Sequence, residues 1–323
     1  MDLSRMLEKC IRDQWAIDDL DWSLPAPVMP RDKEEAVVQY FIDMDGIERL
    51  AGALFEVQRT TTSDPTLAKI FSTFVADEKR HAAVAARLAK HYDVHHYRDY
   101  VESPSLTKFR PHFLAVVQQT SPELANAYIT AGELILDVAL LRSLDDYVAD
   151  DMSHRAMHLI NRDESRHIAI DFHMTEVYAS DEHLAEIRRR PRPTVRQIAH
   201  GTRAVATMMW FAKPFLQQVF LAPMDRTDPG GTRILEAFKR VQLLIRKPVV
   251  ARLPFSRFML TMQDLYNHAV WGKLFGPLLL RVLGADARAA KILFTPDELA
   301  RIHRQTFEEM AEEALAQKLT WET

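Results

Sequence analysis

The chain has 323 residues, 47% apolar and 27% charged, with a formal net charge of −4. That length holds one large or two modest domains, and the slight acidity gives no general pull toward nucleic acid or an anionic membrane. The single cysteine, Cys10, excludes an internal disulfide, fits a reducing cytoplasm and cannot hold an iron–sulfur cluster, while nine glycines are too few for a dinucleotide fingerprint.

Residues 1–9 contain no apolar signal region. Residues 3–19 read as a short helix capped by Ser4, ending before the Pro-rich stretch from Ser23 to Pro30. Residues 1–30 are therefore expected to form an N-terminal helix and connector. Abundant Ala, Leu and Arg favour helices throughout, and the expected fold class is all-α. A first long helix runs from about Asp32 to Thr60. A second opens at Asp64-Pro65, with the acid as N-cap and proline at the first position, and reaches about His91. Residues 92–120 are less regular, with a short helix expected between Pro104 and Pro111. Ser121-Pro122-Glu123 opens a third helix, and after a break near Asp145 to Asp151 a fourth continues to about Arg188.

The basic, proline-broken run Arg188-Arg189-Arg190-Pro191-Arg192-Pro193 divides residues 31–190 from a C-terminal extension, 191–323. There residues 194–222, 231–246, 255–283 and 296–319 read as helices, the last opened by the capping box Thr295-Pro296-Asp297-Glu298. Their Met, Phe and Trp side chains, among them Met208, Trp210, Phe258, Trp271 and Phe275, suit a core or a subunit interface, with the wall of a tunnel for an apolar substrate as the sharper alternative. Apolar faces of this kind lead us to expect a homodimer. The nearest approach to a membrane span, Ala204 to Pro223, is interrupted by Lys213, Pro214, Gln217 and Gln218, and no transmembrane segment is expected.

One string occurs twice. Asp163-Glu164-Ser165-Arg166-His167 repeats Asp77-Glu78-Lys79-Arg80-His81 with only the middle residue changed. Within each copy Glu and His are three apart, which puts both on one helix face. Glu48 precedes Glu78 by thirty residues and Glu133 precedes Glu164 by thirty-one. From Glu48 to the break before Pro65 is roughly 18 Å of helix, and from Pro65 to Glu78 roughly 20 Å, so an antiparallel hairpin brings the two glutamates level. The second half repeats this. Two lone glutamates and two Glu-x-x-His pairs are the pattern of a ferritin-like four-helix bundle with a dimetal core, here followed by additional C-terminal helices. The candidate ligands are Glu48, Glu78, His81, Glu133, Glu164 and His167.

Four carboxylates and two imidazoles suit two hard-to-borderline ions, two irons first, with manganese or a mixed manganese–iron pair as the other options. Six ligands shared by two ions leave open positions, as dioxygen activation requires. Metal-bound histidines normally donate their second N–H to a carboxylate. The acid before each motif glutamate can reach the histidine of the opposite copy, pairing Asp77 with His167 and Asp163 with His81, while Arg80 and Arg166 hold the acids. One turn after the lone glutamates the halves differ: Gly52 is expected to leave room above the metals. Asp137 is either a polar group inside the bundle, as proton relay or ligand partner, or a residue reaching solvent or Arg142. Asp171, four after His167, faces the same way as that ligand.

The paired Asp-Glu-x-Arg-His strings, together with Glu48 and Glu133, resemble those of ferritin-like diiron-carboxylate oxygenases over about residues 35–175. That family includes the hydroxylase subunits of bacterial multicomponent monooxygenases and the p-aminobenzoate N-oxygenase group. The resemblance implies a diiron centre with dioxygen as co-substrate, hydroxylating or N-oxygenating a small, largely apolar or aromatic substrate. Electrons would come from a separate reductase or ferredoxin. The N-oxygenase group carries a further histidine ligand four residues before its last glutamate, where this chain has Ile160. Asp137 or Asp171 remain open as a seventh ligand. Other readings are a ferritin-type iron- or peroxide-handling protein, a hydroxylase acting on RNA through the arginine run, and a metal-free helical interaction protein; no nucleic-acid partner is expected on the leading one.

Overall fold

The computed structural model describes residues 1–191, 194–283 and 286–319, and among these it contains helices and no strands. The helices are α1 (Leu3–Arg12), α2 (Arg31–Thr61), α3 (Pro65–Tyr92), α4 (Pro104–Val117), α5 (Pro122–Ile135), α6 (Arg142–Val148), α7 (Asp151–Ala179) and α8 (Asp181–Arg189). They continue as α9 (Val195–Phe215), α10 (Ala222–Thr227), α11 (Thr232–Arg246), α12 (Pro254–Asn267), α13 (Trp271–Leu283), α14 (Ala287–Ala290), α15 (Pro296–Arg304) and α16 (Phe307–Leu319).

The long helices begin where local chemistry dictates. Asp64 accepts hydrogen bonds from the backbone of Thr66 and Leu67 ahead of Pro65. Ser121 caps α5 through Leu124 N, and Asp150 caps α7 through Ser153 N. These caps satisfy amides that a helix start leaves without partners. Helix α6 stops at Ala149, whose φ of 59° is left-handed.

Helices α2, α3, α7 and α5 touch in a ring: α2 on α3, α3 on α7, α7 on α5 and α5 on α2. Phe41, Phe55, Ile70, Phe71, Leu88 and Leu134 are among the side chains closed off completely inside this core. Each such burial is worth about 1.5–3 kcal/mol against exposure. Glu48 and Glu78 lie equally far from the turn between α2 and α3, so they sit level.

Several sequence expectations change. Helix α1 is capped by Asp2, not Ser4, and ends at Arg12, because Asp2 reaches back to Arg5 N and a short 3₁₀ turn, Ile17–Asp19, takes over. The N-terminal segment also lies against the ring: α1 packs on α3 and α7, and Cys10, Trp15 and Leu20 are buried in the same core. Pro111 lies inside a longer α4. The fourth long helix stops at Ala179, where Ser180 caps a new helix through His183 N. The C-terminal segments expected as single helices over 255–283 and 296–319 are each broken once, after Asn267 and after Arg304.

Between α5 and α6 the chain forms a π turn, Leu136–Leu141, so that Pro122–Val148 is one helical path of 27 residues. This path, rather than Ala204 to Pro223, is the stretch long and apolar enough to cross a bilayer by length and composition, although 62% of its most apolar window is buried in this fold. C-terminal helices rest on the ring, α16 against α7 and α11 against α5 and the π turn, while α9 packs on α4, which in turn packs on α2. Their aromatic side chains split between two environments. Met208 and Phe215 are buried, whereas Trp210, Phe258, Trp271 and Phe275 are exposed, so these four form no tunnel wall.

Candidate metal centre

Each of the four ring helices delivers one part of the site. Glu48 comes from α2, Glu78 and His81 from α3, Glu133 from α5, and Glu164 and His167 from α7. All six are at most 2% exposed. They form two overlapping groups whose ligand atoms lie within 4.8 Å of one another: Glu48, Glu78, His81 and Glu164 in one, and Glu78, Glu133, Glu164 and His167 in the other. Glu78 and Glu164 belong to both. A pair of cations would thus share two carboxylates and hold one glutamate and one histidine each.

The imidazoles present Nδ1 inward. His81 Nδ1 lies 3.1 Å from Glu164 Oε1, and His167 Nδ1 lies 3.0 Å from Glu164 Oε2 and 3.3 Å from Glu78 Oε1. Their outer nitrogens meet the acids of the opposite copies: His81 Nε2 is 3.1 Å from Asp163 Oδ2 and His167 Nε2 is 3.4 Å from Asp77 Oδ2. The arginines bracket those acids. Arg80 donates to both Asp77 and Asp163, and the wholly buried Arg166 donates to Asp163 Oδ1 at 2.5 Å and to Asp77 Oδ2 at 3.4 Å.

The inner atoms are under-used. Among the described residues, both Glu78 oxygens, Glu133 Oε2 and His81 Nδ1 are buried and make no hydrogen bond of good geometry, although His81 Nδ1 and Glu78 Oε1 lie within ion-pair distance of Glu164 and His167. Such groups cost about 1–3 kcal/mol each when left unmade, and more when charged. Four carboxylates in one dry pocket require compensating positive charge. The donor set of buried oxygens and imidazole nitrogens, already convergent, fits metal ions.

The proton equilibria show the same demand. Burial, reinforced by the Glu78 carboxylate, raises Glu48 well above the usual carboxylate range. Burial and Glu164 do the same to Glu133. For His81, burial would lower the pKa, but Asp163 and Glu164 outweigh it and raise it well above the usual imidazole value. His167 is likewise raised against burial by Glu164 and Asp77. Glu164, which burial would raise, is held well below the usual range by His167. The raised values mean that these groups hold their protons more tightly than usual, as expected where cations are needed to neutralise the carboxylates.

Asp171 is fully buried, its two oxygens lack hydrogen-bond partners among the described residues, and burial raises it well above the usual range. It belongs to neither four-residue group. The side chain of Asp137 lies outside the described residues. His158 is exposed and His173 half-buried, and neither joins the cluster. Gly52 plays a different part from the expected one. A Cβ there would meet Glu78 Cβ at 3.3 Å, so the missing side chain lets α3 approach. In the arginine run, Arg190 is tied to Glu123 at 2.8 Å, while Arg192 and Pro193 lie outside the described residues.

Sequence reasoning missed four contributors. Gln14 Nε2 donates to Asp77 Oδ1 at 3.0 Å, and Trp15 Nε1 donates to Asp163 Oδ2 at 2.7 Å. Phe55 and Phe74 wall His167, with ring centroids at 4.9 Å and 4.2 Å. No spacing rule links Trp15 to Asp163, which are 148 residues apart. Phe74, one helical turn before Glu78, carried a readable signal. The π turn just after Glu133 also had no sequence marker; such turns recur at functional sites. Comparison with protein-family models, with curated proteins and with solved structures returned no match, so the functional reading rests on the site itself.

Proposed function

We propose that the chain is a ferritin-like diiron-carboxylate oxygenase that hydroxylates or N-oxygenates a small, largely apolar or aromatic molecule. The observation that carries this reading is the pair of overlapping ligand groups sharing Glu78 and Glu164, with several of their buried atoms making no well-formed hydrogen bond. Two iron ions bound there would supply the electrons and Lewis acidity with which dioxygen is reduced and one oxygen atom passed to the substrate. Glu48 and Glu133 would each hold one ion, Glu78 and Glu164 both, and His81 and His167 would bind through Nδ1. Asp163 and Asp77 fix the tautomer by accepting from Nε2–H, and Arg80 and Arg166 keep those acids charged. Phe55 and Phe74 exclude water on the His167 side and offer an aromatic surface. Because the chain has no flavin, nicotinamide or iron–sulfur motif, reducing equivalents come from a separate protein.

The test is metal analysis of protein purified under iron-replete conditions, beside a Glu164→Ala, His81→Ala double variant, with spectra after anaerobic reduction and after oxygen. Two irons per chain, absent from the variant, and a reduced state that reacts with oxygen are expected. Iron that turns over oxygen or peroxide with no organic product across a panel of aromatic substrates favours iron handling instead. A folded chain that takes up no metal ends the proposal.

A further inference from the structure

The five-residue string repeats with one change, but the segment that precedes the two copies does not repeat. Gln14 and Trp15 follow α1 directly, where Arg162 Nη2 holds the Asp13 carbonyl at 2.9 Å. From there the two side chains reach the two acids that orient the histidines, and they reach them differently. On Asp163, one oxygen, Oδ2, receives Trp15 Nε1 at 2.7 Å, Arg80 Nη2 at 2.8 Å and His81 Nε2 at 3.1 Å. On Asp77, Gln14 and Arg80 donate to Oδ1, and Oδ2 faces only His167 Nε2 and Arg166 Nη2, both at 3.4 Å. The indole is rigidly placed: Arg80 lies 5.0 Å over its ring, and His81 stacks beside it at 6.5 Å with planes 24° apart. Trp15 is 7% exposed.

We infer that Trp15 is a positioning residue that makes the two metal positions unequal, so that the Glu48–His81 position binds a divalent ion first and more tightly. The inference rests on the dimetal reading above. Its cause is preorganisation. The indole N–H and Arg80 pin the oxygen that orients His81, so the His81 imidazole loses little freedom on binding an ion. His167, packed between Phe55 and Phe74, is held by a longer contact to an oxygen with no ring donor, so its Nε2 is pinned less firmly. Partners that orient metal-bound histidines typically change metal affinity by about 10- to 100-fold. The repeated string treats the two positions alike; the N-terminal segment does not, because its two side chains meet the two acids differently.

The experiment titrates Co2+ into the full-length, chelator-treated chain, followed by calorimetry and tryptophan emission. The wild type should bind in two steps, with emission quenched in the first because Trp15 lies beside His81. Trp15→Phe keeps an aromatic side chain of smaller size and removes the donor. It should weaken the first step about tenfold, leave the second within about twofold, and abolish that quench. Trp22→Phe, at a ring that meets His91 edge-on and lies under Arg87 away from the site, should change neither step. A single unresolved step in the wild type, equal weakening of both steps in Trp15→Phe, or no weakening overturns the inference and leaves the dimetal reading standing. A wild-type chain that binds no Co2+ overturns both.

Discussion

His81 and Asp163 stand 82 residues apart in sequence and 3.1 Å apart in space, each drawn from a different copy of the same five-residue string. The reciprocal contact joins His167 to Asp77. The two copies therefore do more than bring candidate ligands together: each acid contacts the imidazole of the other copy.

Replacing Asp163 by Asn tests this exchange. The amide keeps the shape but loses the charge that faces Arg166 and Arg80. Removing one member of a buried ion pair typically costs 3–5 kcal/mol, and sharing of Arg166 with Asp77 places the expected loss near the lower end, about 3 kcal/mol by denaturant titration. Metal affinity should fall by about 10- to 100-fold. Stability and affinity both unchanged would mean that Asp163 does not orient His81.

Shared and unshared glutamates should separate in metal content. Glu164→Ala removes a carboxylate common to both groups and should leave less than one ion per chain, whereas Glu48→Ala and Glu133→Ala should each retain one. Elemental analysis decides it: retention of two ions by Glu164→Ala contradicts the sharing.

Gly52→Ala offers a probe of close packing. The new Cβ would sit 3.3 Å from Glu78 Cβ, on a helix that cannot easily retreat. Overpacking of about 1–3 kcal/mol is offset by the roughly 1 kcal/mol gained from replacing glycine in a helix. The melting temperature should therefore shift little while affinity for both ions drops, since Glu78 is displaced. Unchanged affinity would show that Glu78 tolerates the shift.

Stability should depend on pH with opposite sign in the stripped and loaded protein. Glu48, Glu133, His81 and His167 all have pKa values raised well above their ordinary ones. Each binds more protons folded than unfolded, so its stabilisation is full below the unfolded pKa and is lost as pH climbs through the folded one. Glu164, Asp77 and Asp163 are depressed, and their contribution is lost only in acid, below the ordinary carboxylate range. The chelated protein should therefore melt progressively lower as pH rises through the neutral range. Metal affinity should increase over the same interval, because fewer protons must be displaced. A chelated protein that gains stability from pH 6 to 8 would contradict these directions.

The sequence by itself determined the helical class, the main helix starts and the six convergent residues. It could do so because helix periodicity, N-caps and the level placement of Glu48 with Glu78 are local geometry, countable along the chain. The repeated string added the cross-pairing of histidines and acids, since two copies facing each other leave few alternatives. What only the tertiary structure decided is everything that depends on non-local approach. Gly52 is absent of side chain to admit Glu78 rather than to open a space, which follows from the distance between α2 and α3. The π turn after Glu133 has no marker in the sequence. Trp15 and Gln14, in a segment that reads as an appendage, reach the acids of the site because α1 packs across α3 and α7. No periodicity encodes such contacts. They exist because folding brings a non-repeating segment against a repeating one, and only the fold fixes which carboxylate oxygen each side chain meets.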